Sequence, residues 1–304
     1  MPFSEDHPAL RTALDAASQV PADDPRALRA VSVTVAVAAA AHVATRRPQV
    51  FTAVGSESAA RAVTTKSTRT DPVTVVDTET EELIRGRLAE LRPGDAVLGE
   101  EEGGDDGTDG VRWIVDPIDG TVNFLYGIPA YAISVAAQVD GVSVAGTVVD
   151  VAAGAVYTAA RGHGATRHEA DGAVHALRCT DVTEVSMALL ATGFGYAPAR
   201  RRRQGELIAA LLPRVRDIRR IGSAALDLCM VASGRVDAHF EHGLSPWDWA
   251  AGSLIAAEAG AVVRVPSPRT TAADGAVVVA AAPGVAAALD AVLSEVGALD
   301  AIPE

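Results

Sequence analysis

The first third of the chain has apolar residues at helical spacing. A segment rich in Ala and Val predicts a buried helix from about Pro25 to Arg46, with Asp24 in position to cap it. A second amphipathic segment predicts a helix that begins with a capping box formed by Thr78 and Glu81. The predicted apolar face of this helix consists of Leu83, Ile84, Leu88 and Leu91. Between the two helices, residues 52–69 are small and polar and predict a mobile loop.

The remainder of the chain has the patterns of sheets. Residues 113–119 predict a buried strand that ends in a turn, and residues 131–165 predict an antiparallel meander. Farther along, helical and extended patterns alternate. The predicted helices are 204–214, 222–233, 247–259 and 286–296, and the predicted strands are 217–221, 236–240, 261–265 and 276–281. Helices layered on mostly antiparallel and mixed sheets, an α+β architecture, are therefore expected.

Length and composition limit the classes of function. The 304 residues, of which 49% are apolar, predict one catalytic domain over residues 1–304, with approximate halves at 25–180 and 181–304. A formal charge of −13 argues against non-specific binding to nucleic acid. Two cysteines and an acidic start predict a cytoplasmic protein. The Ala-rich run 30–44 is about 15 residues long and broken by polar residues, so no membrane insertion is expected.

Four acidic features lie at the ends of apolar segments, where an acid is costly unless it is paired, hydrogen-bonded or bound to a metal. They are Asp77, the pair Glu100 and Glu101, Asp116 with Asp119, and Asp248. For any one of them, a capping or surface role is the simpler interpretation. Asp116, Asp119 and the carbonyl of Ile118 supply an oxygen-only ligand set, which suits Mg²⁺ rather than zinc. If Glu100 and Asp248 converge on Asp116, the site can hold two or three divalent ions, an arrangement suited to phosphoryl transfer.

The segment DPIDGT, residues 116–121, indicates how two of these acids are aimed. Pro117 fixes one backbone angle, and Gly120 permits a conformation that other residues resist. The turn can therefore direct Asp116, Asp119 and the carbonyl of Ile118 at one point. A short helix that starts after this turn would offer free backbone N–H groups to a phosphate oxygen.

The sequences of several segments resemble those of the inositol monophosphatase family. The segments are LGEEE at 98–102, DPIDGTVNF at 116–124, SPWDWAAGSLIAAEAGA at 245–261, KSTRTDPVTVVDTETE at 66–81 and RRIGSAALDLCMVASGRVDAHFEHG at 219–243. Their order and intervals match the family over about residues 60–295, most closely its actinobacterial branch. The resemblance implies a layered αβαβα sandwich of the sugar-phosphatase type, three Mg²⁺ ions and a homodimer.

The same resemblance implies metal ligands. Glu100, Asp116 and the carbonyl of Ile118 would hold the first ion, and Asp116, Asp119 and Asp248 would hold the second. Glu100 would hold a third ion loosely, with waters. The implied reaction is in-line attack of a metal-activated water on a phosphate monoester without a phosphoenzyme, and lithium inhibition is expected as a family trait.

Roles for the remaining site residues follow from the resemblance as well. Asp77 and Thr121 would orient and deprotonate the attacking water, with Glu100 nearby. The backbone of Gly120 and Thr121 would bind phosphate, and Lys66 would lie on the loop near the third metal.

Three residues would meet the hydroxyls of the alcohol, namely Asp119, Ala224 and Glu241. The chain departs from the family's sequence motifs at two positions. Val122 stands where a second Thr is common, and Ser245 stands where many relatives carry another residue before Trp-Asp.

Three functions remain open at this point. The first is hydrolysis of inositol 1-phosphate, which the wording of residues 219–243 favours. The second is a related phosphatase acting on histidinol phosphate, fructose 1,6-bisphosphate or a 3′-phosphoadenosine nucleotide. Glu241 fits recognition of a polyol, but it would also suit an ammonium group. The third is a regulatory protein that uses this fold to bind a partner such as transcription machinery.

Other features have simpler interpretations. Cys229 and Arg235 have the Cys-x₅-Arg spacing of a cysteine phosphatase, but an apolar helix separates them, which indicates that Cys229 is a core residue. His239 and His242 flank Glu241 and are predicted to lie at a surface or interface. The run RRRR at 200–203 predicts a solvated face.

Overall fold

The longest strands among the described residues belong to an eight-stranded sheet. In the computed structural model, which describes residues 3, 7–18, 20–51, 63–65, 72–104 and 110–304, the strand order is β10-β9-β8-β7-β6-β5-β3-β4. Neighbouring strands are antiparallel except β3 and β5, which are parallel. The strands are β3 Ala96–Gly99, β4 Gly103–Gly104, β5 Val111–Asp119, β6 Ala132–Val139, β7 Val142–Asp150, β8 Ala155–Ala160, β9 Ala165–His168 and β10 Val174–Ala176. The predicted meander over residues 131–165 is confirmed.

A second sheet lies in the C-terminal part of the chain, with strand order β12-β11-β13-β15-β14. Strands β12, β11 and β13 are parallel to one another, and β15 is antiparallel to both of its neighbours. These strands are β11 Leu189–Thr192, β12 Asp217–Arg219, β13 Ala238–His242, β14 Val262–Arg264 and β15 Val277–Ala281. A separate antiparallel pair is formed by β1 Val63–Thr65 and β2 Pro72–Thr74. Most of the predicted mobile loop, 52–69, lies outside the described residues.

The helices form three layers around the two sheets. They are α1 Pro8–Ala17, α2 Pro25–Val50, α3 Val75–Leu91, α4 Thr121–Tyr126, α5 Pro198–Leu211, α6 Ala224–Ala232, α7 Pro246–Glu258 and α8 Ala286–Glu295. Short 3₁₀ turns occur at Val185–Met187, Leu212–Arg214 and Ala272–Asp274. Helices α1, α2 and α3 cover the outer face of the eight-stranded sheet, α6 and α7 lie between the sheets, and α5 and α8 cover the outer face of the second sheet. The predicted α+β fold with αβαβα layers is confirmed.

Small residues set the spacing of the middle layer. A Cβ added at Gly146 of β7 would lie 2.9 Å from the Cα of Ala251, and a Cβ added at Gly252 would lie 2.9 Å from the Leu228 side chain. Helix α7 therefore packs directly on the sheet and on α6, as the high Ala content of this chain permits. This close packing brings the N-terminal ends of α6 and α7 close to the C-terminal end of β5.

Helix α2 is longer than its predicted span. Asp24 caps it as expected, accepting a hydrogen bond from the backbone N–H of Arg26 at 2.9 Å, but the helix continues to Val50. Among the described residues, it is the helix whose length and mean hydropathy would allow it to cross a membrane. The expectation that this segment is too short to span a bilayer was therefore wrong. Its apolar residues pack against the eight-stranded sheet, and core helices pass the same test.

Other predicted boundaries shift modestly. Helix α5 begins at Pro198, six positions before the predicted start, and it places Arg200 in the interior rather than on the predicted solvated face. The β13 strand runs two positions later than predicted, which makes His242 its last residue. The assignment of residues 1–304 to one domain with two halves stays a prediction.

Candidate active site

One cavity of about 370 Å³ gathers most of the predicted site residues. Its lining includes nine of them: Glu100, Asp116, Ile118, Asp119, Gly120, Thr121, Ala224, Glu241 and Asp248. Asp77 lies behind the wall, fully buried, and contacts the cavity through Thr121. Lys66 lies outside the described residues.

The start of α3 fixes Asp77. Thr74 is the N-cap of this helix, and Asp77 completes the capping box by accepting from the Thr74 backbone N–H at 3.0 Å and from its hydroxyl. The box predicted at Thr78 and Glu81 was therefore wrong by four residues. The other Asp77 oxygen accepts from the Thr121 hydroxyl at 3.1 Å, so one buried carboxylate links the first turn of α3 to the first residue of α4.

The end of β5 aims Asp116 and Asp119. The pairing of β5 with β6 shifts between these two residues, and the Ile118 N–H donates to Asp116 Oδ1 at 2.9 Å. Gly120 follows with φ +98°, and a Cβ there would lie 3.0 Å from the carbonyl oxygen of Ala130. Because both the left-handed backbone and the lack of space exclude a side chain, glycine is required at the turn.

The N-terminal ends of two helices fix Asp119 and Asp248. Asp119 accepts from the Ser223 hydroxyl at 2.6 Å and from the Ala225 N–H at 2.7 Å, where α6 begins. Asp248 is the third residue of α7 and accepts from the Ser245 N–H at 2.7 Å in a capping box. One carboxylate oxygen from each of Asp116, Asp119 and Asp248 lies within 4.8 Å of the other two. Ser245, which differs from the residue that many family members have at this position, is the N-cap of α7.

Burial and mutual repulsion perturb these acids. Burial raises the pKa of Asp116 well above its usual range, and Glu100, Asp119 and Asp248 raise it further. Burial and the nearby Glu100 also raise the pKa of Asp248. For Asp119, burial raises the pKa to about 6, although the hydrogen bonds from Ser223 and Ala225 oppose this shift. Acids this close favour their ionised forms only when positive charge lies between them, so the cluster fits divalent cations.

Glu81 has a role that the sequence interpretation missed. It is fully buried and accepts from the N–H groups of Glu101 at 2.8 Å and Glu102 at 3.0 Å. Arg85, one turn later, pairs with it at 2.8 Å. A Cβ added at Gly99 would lie 2.2 Å from the Glu81 carboxylate, so the turn passes directly over it. Glu81 therefore anchors the turn that presents Glu100. The sequence did contain a sign of this role, because Glu81 lies one helical turn after Asp77 and therefore on the same face of α3.

The same cavity holds a second group of ionisable residues. Glu241 lies there with Asp227 of α6, and His239 stands two residues before Glu241 on β13. His239 is fully buried and its Nε2 lies 3.9 Å from Glu241 Oε2. The predicted surface position of His239 and His242 was wrong, because the strand faces α6 on one side and the α5–α8 layer on the other. Cys229 is a buried core residue, as predicted.

Arg200 also reaches the cavity wall. It is 1% exposed and donates to the carbonyl oxygens of Ile302 and Ala272, each at 2.7 Å. Residues from three distant parts of the chain thus form this wall. The RRRR run alone gave no signal that one of its four guanidinium groups turns inward.

Comparisons with known proteins agree with this geometry. The profile described as the inositol monophosphatase family matches residues 24–297. A Mycobacterium bovis protein named inositol-1-monophosphatase is 57% identical over 289 residues, 93% of this chain and 99% of that protein. A Vibrio cholerae protein named Nus factor SuhB is 40% identical over 212 residues, 68% of this chain and 76% of that protein. The solved structure of Mycobacterium tuberculosis SuhB has 54% identity and a TM-score of 0.77, and the match covers 91% of this chain and 100% of that one.

Proposed function

The chain belongs to the inositol monophosphatase family, and we propose that it hydrolyses inositol 1-phosphate to inositol and phosphate with Mg²⁺. Members of this family are metal-dependent phosphatases of phosphorylated small molecules, so the chain is a phosphoric monoester hydrolase. The observation that carries the proposal is the convergence of Asp116, Asp119 and Asp248 within 4.8 Å at the cavity wall. An all-carboxylate set of this kind is the ligand chemistry that Mg²⁺ prefers.

Five residues would hold two to three ions. These are Glu100, Asp116, Asp119 and Asp248 through their carboxylates and Ile118 through its carbonyl. When bound, the ions would neutralise the acids, activate a water and stabilise the leaving oxygen. Lys66 would act from the loop near the third ion.

The chain's own proton acceptor is the Thr121–Asp77 pair. The Thr121 hydroxyl lines the cavity and donates to Asp77 at 3.1 Å. A proton leaving the attacking water can therefore pass to the Thr121 oxygen while the Thr121 proton passes to Asp77. Glu100 would lie nearby and assist. The backbone N–H groups of Gly120 and Thr121 would hold the phosphate.

The alcohol would bind beside the metal cluster, next to Glu241. Asp119, Ala224 and Glu241 would meet its hydroxyls, since all three line the cavity. A carboxylate accepts hydrogen bonds from two neighbouring hydroxyls, as a polyol supplies. The 57% identical relative carries the name inositol-1-monophosphatase, which supports inositol 1-phosphate over the related esters.

A panel assay tests the proposal. Phosphate release is measured with and without Mg²⁺ on inositol 1-phosphate, histidinol phosphate, fructose 1,6-bisphosphate and 3′-phosphoadenosine 5′-phosphate. The expected result is Mg²⁺-dependent turnover, fastest on inositol 1-phosphate, with inhibition by lithium. Faster turnover of another ester would replace the substrate while leaving the metal chemistry in place. The same proposal includes a cytoplasmic homodimer, which light scattering and fractionation would check.

A second candidate function rests on the relatives named Nus factor SuhB. That name supports a regulatory role with transcription machinery in addition to catalysis. A variant without phosphatase activity that still supports growth where deletion of the protein does not would favour this candidate.

A further inference from the structure

Two buried side chains beside Glu241, Asp227 and His239, have no role in the proposed hydrolysis. Asp227 projects from α6, and His239 and Glu241 project from β13 two residues apart, which places them on the same face of the strand. One ligand atom from each lies within 4.8 Å of the other two. The group is formed by a helix of the middle layer facing a strand of the second sheet.

The polar side-chain atoms of Asp227 and His239 lack hydrogen-bond partners among the described residues. Within the described part of the chain, both carboxylate oxygens of Asp227 and both ring nitrogens of His239 are buried without a hydrogen bond. Asp227 is 1% exposed and His239 is 0% exposed. Buried polar groups without partners are rare in native proteins and indicate an unseen partner. One oxygen of Asp227 and one ring nitrogen of His239 lie close enough to Glu241 to share a ligand, which indicates a binding site rather than isolated defects.

We propose that Asp227, His239 and Glu241 form a second cation site, separate from the Asp116–Asp119–Asp248 cluster, that binds a transition-metal ion such as Zn²⁺. Two carboxylates and one imidazole are a common donor set for such ions, whereas Mg²⁺ prefers oxygen alone. Burial lowers the pKa of His239 to about 3, so the ring is neutral and has a lone pair to offer.

The spacing suits a metal after a small adjustment. The 3.9 Å between His239 Nε2 and Glu241 Oε2 exceeds the roughly 3.3 Å expected between two ligands of tetrahedral zinc. Rotation of the Glu241 carboxylate can supply that difference. Asp227 and Glu241 both line the cavity, which gives an ion a route from solvent. Burial also raises the pKa of Glu241 to about 8, although the nearby Arg220 guanidinium opposes this shift.

Binding at this site has a functional consequence. An ion held by Glu241 would occupy the place where the substrate hydroxyls bind, so Zn²⁺ would inhibit in competition with the substrate. This consequence rests on the proposed function, whereas metal binding itself does not.

The test measures binding without turnover. The full-length protein is stripped of metal, and Zn²⁺ affinity is measured by calorimetry in excess Mg²⁺, with Co²⁺ absorption reporting an imidazole ligand. The background is Asp116→Asn, which weakens the first cluster. Adding His239→Gln should weaken Zn²⁺ at least tenfold and remove the nitrogen-ligand bands of Co²⁺. The matched control adds His175→Gln, at an exposed histidine of β10, and should keep both.

Equal Zn²⁺ affinity in the His239→Gln protein and the His175→Gln control would overturn the proposal, as would the absence of Zn²⁺ binding in the Asp116→Asn background. Thermal melts check that each variant is folded. If His239→Gln does not fold, Asp227→Asn takes its place, and it must weaken Zn²⁺ by the same criterion. Failure of the panel assay for phosphate release would leave these binding results intact.

Discussion

The cavity has two groups of ionisable side chains, and they differ in the hydrogen bonds that the rest of the protein donates to them. Each carboxylate of the Asp116–Asp119–Asp248 cluster accepts a hydrogen bond from a backbone N–H group. The Asp227–His239–Glu241 group lacks such support, and both Asp227 and His239 are unpartnered within the described residues. Backbone N–H groups stabilise ionised acids and fix their direction. The first cluster is thus preorganised before any cation arrives, whereas the second depends on what enters it.

The largest expected effect comes from breaking the first cluster. Asp116→Asn removes an anionic ligand and should lower kcat/KM for phosphate release by about 10³-fold or more, equal to roughly 4 kcal/mol of transition-state stabilisation. The measurement is phosphate release against Mg²⁺ concentration. Asp227→Asn, in the second group, should lose at most about tenfold and keep its Mg²⁺ dependence. Equal losses in the two variants would contradict the distinction between the groups.

A smaller effect is expected from Glu241→Gln. The amide keeps the size of the side chain but replaces one acceptor oxygen, so kcat/KM on inositol 1-phosphate should fall about 30-fold, mainly through KM. An aryl phosphate that lacks hydroxyls should lose much less. Similar losses on both substrates would place Glu241 outside recognition of the alcohol.

Glu81→Gln tests how the first cluster is supported. The amide can donate where the turn at Glu101 and Glu102 needs an acceptor, so Glu100 should lose its fixed position. We expect about a tenfold rise in the Mg²⁺ concentration for half-maximal rate, with a smaller change at saturating Mg²⁺. Glu90→Gln, at an exposed position of the same helix, is the matched control. A fall in maximal rate with unchanged Mg²⁺ dependence would contradict the positioning role.

The smallest expected effect is on stability. In metal-free protein, Asp119 has a pKa of about 6 against an ordinary 3.8, so the folded state binds protons more tightly than the unfolded state. Stability should therefore be greatest at low pH within this window and fall as pH rises from about 4 through 6. A decrease in Tm of roughly 5 °C is expected by scanning fluorimetry in EDTA. Saturating Mg²⁺ should abolish the decrease, and a rise in Tm over this window without metal would contradict the sign.

The sequence determined the parts of this site that depend on neighbours along the chain. Asp116, Asp119 and Gly120 are fixed by one turn, so their spacing predicted that these two acids share a site, and Asp248 was expected at a helix start, where it completes the capping box of α7. The layered fold was predictable because the periods of the strands and helices were regular over long segments. The family resemblance then added the long-range convergence of Glu100 and Asp248 with these acids.

Only the tertiary structure decided the features that depend on which side of an element is buried. Glu81 was interpreted as a capping residue, but the packing of α3 turns it toward the Glu100 turn. His239 and Arg200 were expected near solvent, yet neighbouring helices and strands enclose them. The pattern within one segment gives the period of its faces but not what covers them, because that depends on contacts between residues far apart in sequence.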